Sequence, residues 1–413
     1  MRADEAAGLP LAGVRVLDFT WIVAGPTGTK LLADFGADVV KVETAQALDA
    51  IRLSGPFADG QIGINRSGHF NNINRNKRGI AINLYHPDGA ALARGLAARC
   101  DVVTENFTPG TMERWGIGYD DLRRDRADII YCAVSGYGPG GRNSGYTSWG
   151  PTAQAISGMT SMCGLPGHEP AGWGYSHLDL VPGYLMATAV LMALHHRRRT
   201  GEGQRIDIAQ AEVGMALCAP RILDFVVNGR AYGGPAGNHS EFLRVAPHNA
   251  YQCKGDDRWL AIVCRSDAEW HALTMALSID ALASDARFVS GDARIENEDD
   301  LDAAIGAAVA DRDAYEVMTA LQAAGVPCGV VQDAADKVER DAQLQHREFF
   351  VRAGHAEIGE QRFEGPIPRL GRTPGGVSGG APVLGDHTRE VLGEWLTMPA
   401  QEIDDLRDSG VFA

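Results

Sequence analysis

The sequence lacks the cysteine and glycine patterns that mark several common classes of protein. Its seven cysteines are dispersed, and no two of them form a C-x-x-C pair. Such a set indicates reduced thiols rather than a disulfide framework or a zinc site. No G-x-x-x-x-G-K-[ST] occurs, and no G-x-G-x-x-G follows the first predicted strand. A P-loop and a dinucleotide-binding turn are therefore not expected.

Positive charge is also scarce. Lysine and arginine total 38 against 53 acidic residues, which gives a formal net charge of −15. This balance argues against general binding of nucleic acid or of an anionic membrane surface. The first ten residues have no apolar signal core, and the longest apolar run, 184–194, is too short to span a bilayer. We therefore expect a cytoplasmic protein with no nucleic-acid or membrane partner.

What the sequence does contain is an alternation of predicted strands and helices. Residues 14–19 form a buried strand, 27–35 a helix and 38–43 a second strand, which together make a βαβ unit. The alternation continues with strands at 79–84, 101–105 and 129–134 and a helix from His86 through Ala98. The predicted fold class is α/β, with an open parallel sheet in a large domain whose first part spans 1–225.

A change of texture marks a second, smaller domain. A glycine-rich connection lies around 227–238, and residues 248–253 and 258–264 resemble the two arms of a β-hairpin. Helical patterns and a strand candidate at 328–331 follow. We expect a small α/β domain over 236–331. The segment 332–413 is loop-rich, ends in one or two helices, and is expected to return to the large domain.

Three segments follow predicted strands of the large domain at the edge where ligands bind in open parallel sheets. They are 20–24, Asn106-Phe107 and Ser135-Gly136-Tyr137. We expect a binding site there.

Asp179 lies just before the apolar run 184–194, which predicts a buried helix with Pro182 in its first turn and Gly201 as its stop. A carboxylate at the positive end of a buried helix is expected to stay ionised and can serve as a nucleophile. The alternative is that Asp179 is only an N-cap residue. Local chemistry alone favours the N-cap interpretation.

Further motifs change that balance, because together they resemble class III CoA-transferases, the family of formyl-CoA transferase and carnitine CoA-transferase. Asp-x-x-x-Gly before an apolar helix that ends in Arg-x-x-Thr-Gly-x-Gly-Gln matches at Asp179, Gly183 and 197–204. The other matching segments are 11–18, 24–26, 36–43, 74–78, 105–110, 135–138, 237–238, 324–327 and 381–388. The resemblance covers about residues 10–410.

The resemblance implies a large domain built from both chain ends, a small central domain and an interlocked homodimer. It implies that Asp179 attacks an acyl-CoA to give a mixed anhydride, and that the released thiolate then forms an aspartyl-CoA thioester. A carboxylic acid would take the CoA by the reverse steps. CoA and acyl-CoA are then substrates, and no metal or tightly bound cofactor is expected.

Cofactor-binding residues follow partly from the resemblance and partly from position and charge. The resemblance implies that Asn106, Phe107 and Arg114 contact CoA. Basic residues near 75–78 are expected to meet its phosphates. The complete predicted CoA site is Ile22, Val23, Ala24, Lys77, Arg78, Ile82, Asn106, Phe107, Arg114 and Tyr137. Trp21 and His177 are candidates for the acyl pocket.

Alternatives remain open for both activity and substrate. An α-methylacyl-CoA racemase would have a histidine where this chain has 147–151, which contain none. A non-catalytic CoA-binding subunit of a hetero-oligomer would not need Asp179. Gly233-Gly234 is too short for the glycine lid of formyl-CoA transferase, and Trp21, Ile22 and Trp173 suggest a bulkier acyl pocket. We expect succinyl-CoA as donor and an aromatic or larger dicarboxylic acceptor, as in benzylsuccinate CoA-transferases.

Overall fold

A computed structural model of the chain describes residues 8–231, 233–239 and 242–412. Within them the chain divides into two compact units. The first contains Met1–Thr160, Gly172–Tyr232 and Gln343–Ala413; the second contains Ser161–Ala171 and Gly233–Ala342. The domain boundaries drawn from the sequence stay a prediction.

The strands differ from the sequence-based expectation by one to three residues at their ends and by three additional strands. They are β1 Arg15–Asp18, β2 Asp38–Glu43, β3 Arg78–Ala81, β4 Val102–Glu105, β5 Ile130–Ser135, β6 Arg205–Ala209, β7 His248–Gln252, β8 Trp259–Val263, β9 Cys328–Val330, β10 Phe350–His355 and β11 Gly359–Glu364. The additions are β6 and the β10–β11 hairpin.

Helices connect and cover the strands. They are α1 Ala24–Asp34, α2 Gly68–Ile73, α3 Pro87–Ala97, α4 Thr111–Arg114, α5 Tyr119–Asp125, α6 Gly150–Ile156, α7 His177–Thr200, α8 Gln210–Leu217, α9 Ala219–Asn228, α10 Asp267–Leu277, α11 Gly291–Glu296, α12 Glu298–Val309, α13 Ala314–Ala323, α14 Ala342–His346, α15 Thr388–Leu396 and α16 Ala400–Asp408.

The first unit contains a parallel sheet with strand order β3-β2-β1-β4-β5-β6. This confirms the α/β class. The order reverses direction between β1 and β4, so the carboxyl ends of these two strands border a crevice in which ligands of open sheets bind. The site predicted after β1, β4 and β5 therefore lies at one edge.

Two apolar layers hold the sheet. Leu17, Val40 and Ile80 belong to one layer, whereas Val16, Val39 and Val102 belong to the other, as expected for alternating residues of buried parallel strands. The C-terminal helix α15 contributes Val391, Leu392 and Trp395 to the first layer. The large unit is thus built from both chain ends, as the resemblance implies.

Helix α7 packs against α1 so closely that main-chain atoms nearly touch. A Cβ atom on Gly28 of α1 would lie 2.5 Å from the carbonyl oxygen of Gly183, and one on Gly183 would lie 2.5 Å from the carbonyl oxygen of Ala24. Such distances exclude any side chain at either position. The close packing of α1 and α7 therefore requires a glycine at position 183. Asp179 lies one helical turn before this contact.

The prediction for α7 was wrong in two respects. The helix begins at His177, so Pro182 lies inside it rather than in its first turn. Only one face is buried, because Leu185, Leu191 and Met192 are exposed. Length and mean hydropathy alone would allow this 24-residue helix to cross a membrane. Its buried residues Met186, Ala187, Val190 and Ala193 nevertheless pack with α1 in the second layer.

The second unit has its own core. Its strands form the antiparallel sheet β7-β8-β9, which confirms the predicted hairpin and strand. Leu260, Ile262, Leu273 and Leu321 are buried between this sheet and α10, α12 and α13.

Candidate functional site

A cavity of about 210 Å³ lies at the carboxyl ends of β1, β4, β5 and β6. It is lined by 21–24 after β1, 106–109 after β4, 134–136 at the end of β5, residues 144 and 146–149 of the following loop, Asp179 and Gln210. The structure thus brings together Trp21, Ile22, Val23, Ala24, Asn106, Phe107 and Asp179. The strand ends predict the meeting of the segments after β1 and β4, and Asp179 of α7 lines the same cavity.

Side chains from two other segments of the chain fix the loop between β1 and α1. The main-chain N–H of Trp21 donates to Oδ1 of Asn106 at 2.7 Å, and Nδ2 of Asn106 donates to the carbonyl oxygen of Trp21 at 2.9 Å. The N–H of Ile22 donates to Oδ1 of Asp49 at 3.0 Å. Ile22 has a φ of 62°, which is unusual for a β-branched residue. The surrounding hydrogen bonds hold this strained conformation in place.

Beneath this loop lies a buried cluster of charged residues. Nζ of Lys77 is 3.0 Å from Oδ2 of Asp18, and Nζ of Lys41 is 3.2 Å from Oδ2 of Asp49. Burial opposes ionisation of Asp18, but the charges of Lys77 and Lys41 and the hydroxyls of Thr20 and Thr29 outweigh it and lower the pKa of Asp18 to about 2. The cluster is therefore ionic at neutral pH and supports the loop from below.

The predicted basic patch around 75–78 is not a surface patch. Lys77 donates to Asp18, Thr29 and Asn74, and Arg78 pairs with Asp38 and Glu394 at 2.6 and 2.7 Å. The expectation that Lys77 and Arg78 contact CoA phosphates does not fit this geometry. A buried cation is stabilised by pairing with an anion inside the protein, and both residues already have such carboxylate partners.

The expectation that Ile82 contacts CoA also does not fit, because Ile82 is only 1% exposed and belongs to the same apolar core as Ile80. Tyr137 is half-buried after β5, and it is not among the described residues that line the cavity. Neither residue is brought to the site that the strand ends form.

Arg114 is the predicted CoA contact that keeps an exposed guanidinium. It ends α4, and its Nη2 donates to the hydroxyl of Thr111 at 2.9 Å. Phe107, on the segment just before α4, contacts Trp21 and Trp115 edge to face, with ring centroids 5.8 and 5.6 Å apart. Phe107 lines the cavity, and the exposed cation of Arg114 follows it by seven residues in the sequence.

Asp179 occupies the first turn of α7, whose N-cap is Ser176. It is therefore not the N-cap residue. Its Oδ1 accepts from Nε2 of Gln210 at 3.0 Å, and the Ser176 hydroxyl and the Gly150 main-chain N–H also donate to its carboxylate. Gly150 has to lack a side chain here, since a Cβ atom would lie 2.5 Å from Oδ2.

The electrostatics of Asp179 differ from the sequence-based expectation. Burial raises its pKa above the ordinary value, and the donors Ser176, Gln210 and Gly150 only partly offset this. The helix N-terminus was expected to dominate, but removal from water is the larger effect. A carboxylate with a raised pKa is more basic and so a better nucleophile once ionised.

Sequence reasoning missed Gln210, Gly150 and His69. Gln210 follows β6, so recognising the alternating strand 205–209 would have placed it at the site edge. His69 of α2 interacts electrostatically with Asp179, and burial lowers the pKa of His69. Nothing in the local sequence around Gly150 or His69 indicates this proximity.

His177 lies next to the site without lining the described cavity. Its ring is 5.1 Å from that of Trp173, and its main-chain N–H donates to Oε1 of Gln154 at 3.1 Å. A role for His177 in the acyl pocket stays a prediction.

Comparison with known proteins adds the chemical context. A family description, CoA-transferase family III, matches residues 11–388. The chain is 34% identical over 407 residues to the succinyl-CoA–L-malate CoA-transferase beta subunit of Chloroflexus aurantiacus, with 98% of both chains covered. It is 31% identical over 393 residues to the succinate–glutarate CoA-transferase of Agrobacterium fabrum, with 94% of this chain and 96% of that protein covered.

A solved structure is also similar. The crystal structure of a CAIB/BAIF family protein from Brucella suis superposes with a TM-score of 0.85 at 28% identity, and the match covers 94% of this chain and 100% of that one.

Proposed function

The chain belongs to CoA-transferase family III, and we propose that it moves CoA from succinyl-CoA to a short dicarboxylic acid through an aspartyl-CoA thioester on Asp179. One observation carries the proposal: Asp179 is a carboxylate at a cavity, held by neutral donors and paired with no cation among the described lining residues. Such a carboxylate can form a covalent bond without first breaking an ion pair.

The proposed steps use this carboxylate as nucleophile. Asp179 adds to the acyl-CoA carbonyl, the thiolate of CoA leaves, and a mixed anhydride remains. The thiolate then adds to the aspartyl carbonyl, the acyl group leaves as a carboxylate, and aspartyl-CoA results. An acceptor carboxylate repeats the two steps in reverse. Splitting the exchange in this way replaces one difficult step by several easier ones.

Relatives named for malate and glutarate support short dicarboxylic substrates. The cavity offers hydroxyl groups at Ser144, Tyr146 and Ser148, and none of its described lining residues is lysine or arginine. We propose that these hydroxyls receive the distal carboxylate. An aromatic acceptor is the second candidate, since Trp21, Phe107 and Trp149 also line the cavity.

We propose that CoA enters over the strand ends, with Asn106 and Phe107 along its pantetheine arm and Arg114 near its phosphates. The exposed guanidinium of Arg114 supports this placement. Lys77 and Arg78 are left out because their charges are neutralised internally.

We propose that the chain forms a homodimer. None of the described residues of α9 is buried, although Phe225, Val226 and Val227 are apolar and 60–75% exposed. Exposed apolar surface of this kind marks an interaction site. Because one relative is named as a beta subunit, a hetero-oligomer is the alternative. Sedimentation of the purified chain distinguishes the two, since a lone folded monomer would contradict the homodimer.

Trapping of the covalent intermediate tests the chemistry. The protein is incubated with succinyl-CoA alone, treated with hydroxylamine or borohydride, digested and analysed by mass spectrometry. We expect modification of the peptide that contains Asp179. Modification of another residue, or none, would contradict the mechanism. Transfer from succinyl-CoA to malate, glutarate and an arylated succinate then ranks the acceptors.

A further inference from the structure

Gln210 contacts the carboxylate on which the proposed reaction takes place. Its side chain is 6% exposed, and Nε2 donates to Oδ1 of Asp179 at 3.0 Å and to the carbonyl oxygen of Leu178 at 2.9 Å. Oε1 accepts from the hydroxyl of Ser148 at 3.2 Å. Gln210 therefore joins the start of α8, the start of α7 and the loop that lines the cavity.

These partners fix the orientation of the amide. A main-chain carbonyl can only accept a hydrogen bond, so the nitrogen of Gln210 has to face Leu178. The second N–H is then directed at Oδ1 of Asp179, and a flipped amide would bring two acceptors together at Leu178. The bond to the carbonyl oxygen of Leu178, which does not involve the substrate, thus orients the donor to Asp179.

The proposed mechanism places negative charge on an oxygen of Asp179 itself. When the CoA thiolate adds to the aspartyl carbonyl carbon of the mixed anhydride, an S–C bond forms and the C=O electron pair moves to oxygen. The pair returns as the C–O bond to the acyl group breaks and the acyl carboxylate leaves. No proton is gained or lost. A fixed N–H at the carbonyl oxygen stabilises this transition state.

We propose that Gln210 is a catalytic hydrogen-bond donor that stabilises the oxyanion formed on the Asp179 carbonyl oxygen during each acyl exchange. The inference rests on the proposed function, because it requires Asp179 to carry the covalent intermediate. Gln210 follows β6 and is not part of any sequence motif around Asp179.

The chain offers a matched control in Gln154. This glutamine is 2% exposed, and its Oε1 accepts from the main-chain N–H of His177 in the same first turn of α7. Replacing it by methionine removes a buried amide near Asp179 without removing the donor at Oδ1. Gln210→Met and Gln154→Met therefore separate an effect on the carboxylate from an effect on the helix start.

The measurement is isotope exchange between succinyl-CoA and labelled succinate, which requires no assumption about the acceptor. We expect Gln210→Met to lower kcat by about 10²–10³-fold, as for loss of one oxyanion donor, and to leave CoA affinity unchanged. Loss of the donor also raises the pKa of Asp179, so the acid limb of kcat/KM should move to higher pH. Gln154→Met should lower the melting temperature and leave kcat and the acid limb in place.

A second variant guards against a folding defect in the first. Gln210→Glu keeps the shape of the side chain and the acceptor for Ser148 but replaces the N–H by a carboxylate. We expect weak exchange at neutral pH, because a carboxylate then faces Asp179 where the wild-type protein has an N–H donor, and we expect an acid limb at higher pH than in the wild type. A wild-type kcat and an unmoved acid limb in the Gln210 variants would overturn the inference.

Different results would contradict the proposed mechanism and the proposed role of Gln210. If wild-type protein forms no adduct on Asp179, both the mechanism and the role of Gln210 are wrong. If the adduct forms on Asp179 at the same rate in wild type and in Gln210→Met, only the role of Gln210 is wrong. Single-turnover trapping of the adduct in both proteins decides between these outcomes.

Discussion

Two aspartates near the site differ in every property that matters for reactivity. Asp18 is fully buried at the end of β1, pairs with Lys77, and has a pKa lowered to about 2. Asp179 is half-buried at the start of α7, accepts hydrogen bonds from neutral groups, and has a raised pKa. The first is stabilised as an anion by fixed cations, whereas the second is left available for bond formation.

The basic residues show the same contrast. Lys77 and Arg78 are prominent in the sequence, yet their charges are used inside the protein. Arg114 is isolated in the sequence from other basic residues, and its side chain is exposed. A cluster of basic residues in a sequence therefore does not by itself identify a ligand site. Buried members pair with carboxylates of the protein, and only exposed members can bind a ligand.

Replacing Asp179 by asparagine should have the largest effect on activity. The substitution deletes the proposed nucleophile, so transfer should fall by roughly 10⁴–10⁶-fold, as for other covalent nucleophiles. Stability should stay the same or rise, because a desolvated charge is removed. Steady-state transfer and urea unfolding of the same samples check both expectations. Retained transfer would contradict the nucleophilic role, and unfolding would return Asp179 to a structural one.

Replacing Lys77 by methionine should have the opposite profile. It leaves Asp18 as a buried charge without its closest cation, so the free energy of unfolding should fall by about 3–5 kcal/mol. Urea unfolding with Arg114→Met as the exposed control measures the difference. An equal, small change in the two variants would show that the Asp18 cluster is not a stability element.

Lowering the pH should protonate Asp179 and Asp18 at different pH values, and this is the smallest of the three expected effects. The pKa of Asp18 in the fold, about 2, lies below its ordinary value of 3.8, so its stabilising contribution is present above that value and is lost as the pH falls toward 2. The raised pKa of Asp179 means that the proposed nucleophile is protonated at a higher pH than an ordinary aspartate. Activity should therefore disappear before circular dichroism reports unfolding. Coincident loss of both signals would contradict the comparison.

The sequence predicts the sheet well because its strands are continuous apolar runs with clear turns. Residues 38–43 form β2 as expected, and the carboxyl ends of β1 and β4 meet where the strand-end rule places a ligand. The edge strand β6 was missed since its outward residues, such as Arg205 and Asp207, are polar and only its alternation indicates a strand. Recognition of Asp179 came from motif order rather than from its surroundings.

The remaining errors share a physical origin. Whether Lys77 faces a ligand or an internal anion depends on Asp18, which lies 59 residues earlier in the sequence. The pKa of Asp179 depends on burial and on Gln210 and Gly150, which are also distant in sequence. Local sequence patterns do not show which distant residues pack around a side chain. The strand or helix that carries a residue can therefore be predicted from the sequence, whereas the charges and hydrogen-bond partners around its side chain cannot.

The contact between Gly28 and Gly183 has a consequence for motion. Main-chain atoms limit the approach of α1 and α7, with ideal Cβ positions only 2.5 Å from the opposing carbonyl oxygens. Side-chain rotamer changes, which occur within nanoseconds at exposed positions, do not alter such a contact. The start of α7 and the loop that precedes α1 should therefore fluctuate as one body. The distance from Asp179 to the main chain of Ile22–Ala24 should then vary little during turnover, even where other parts of the cavity lining move.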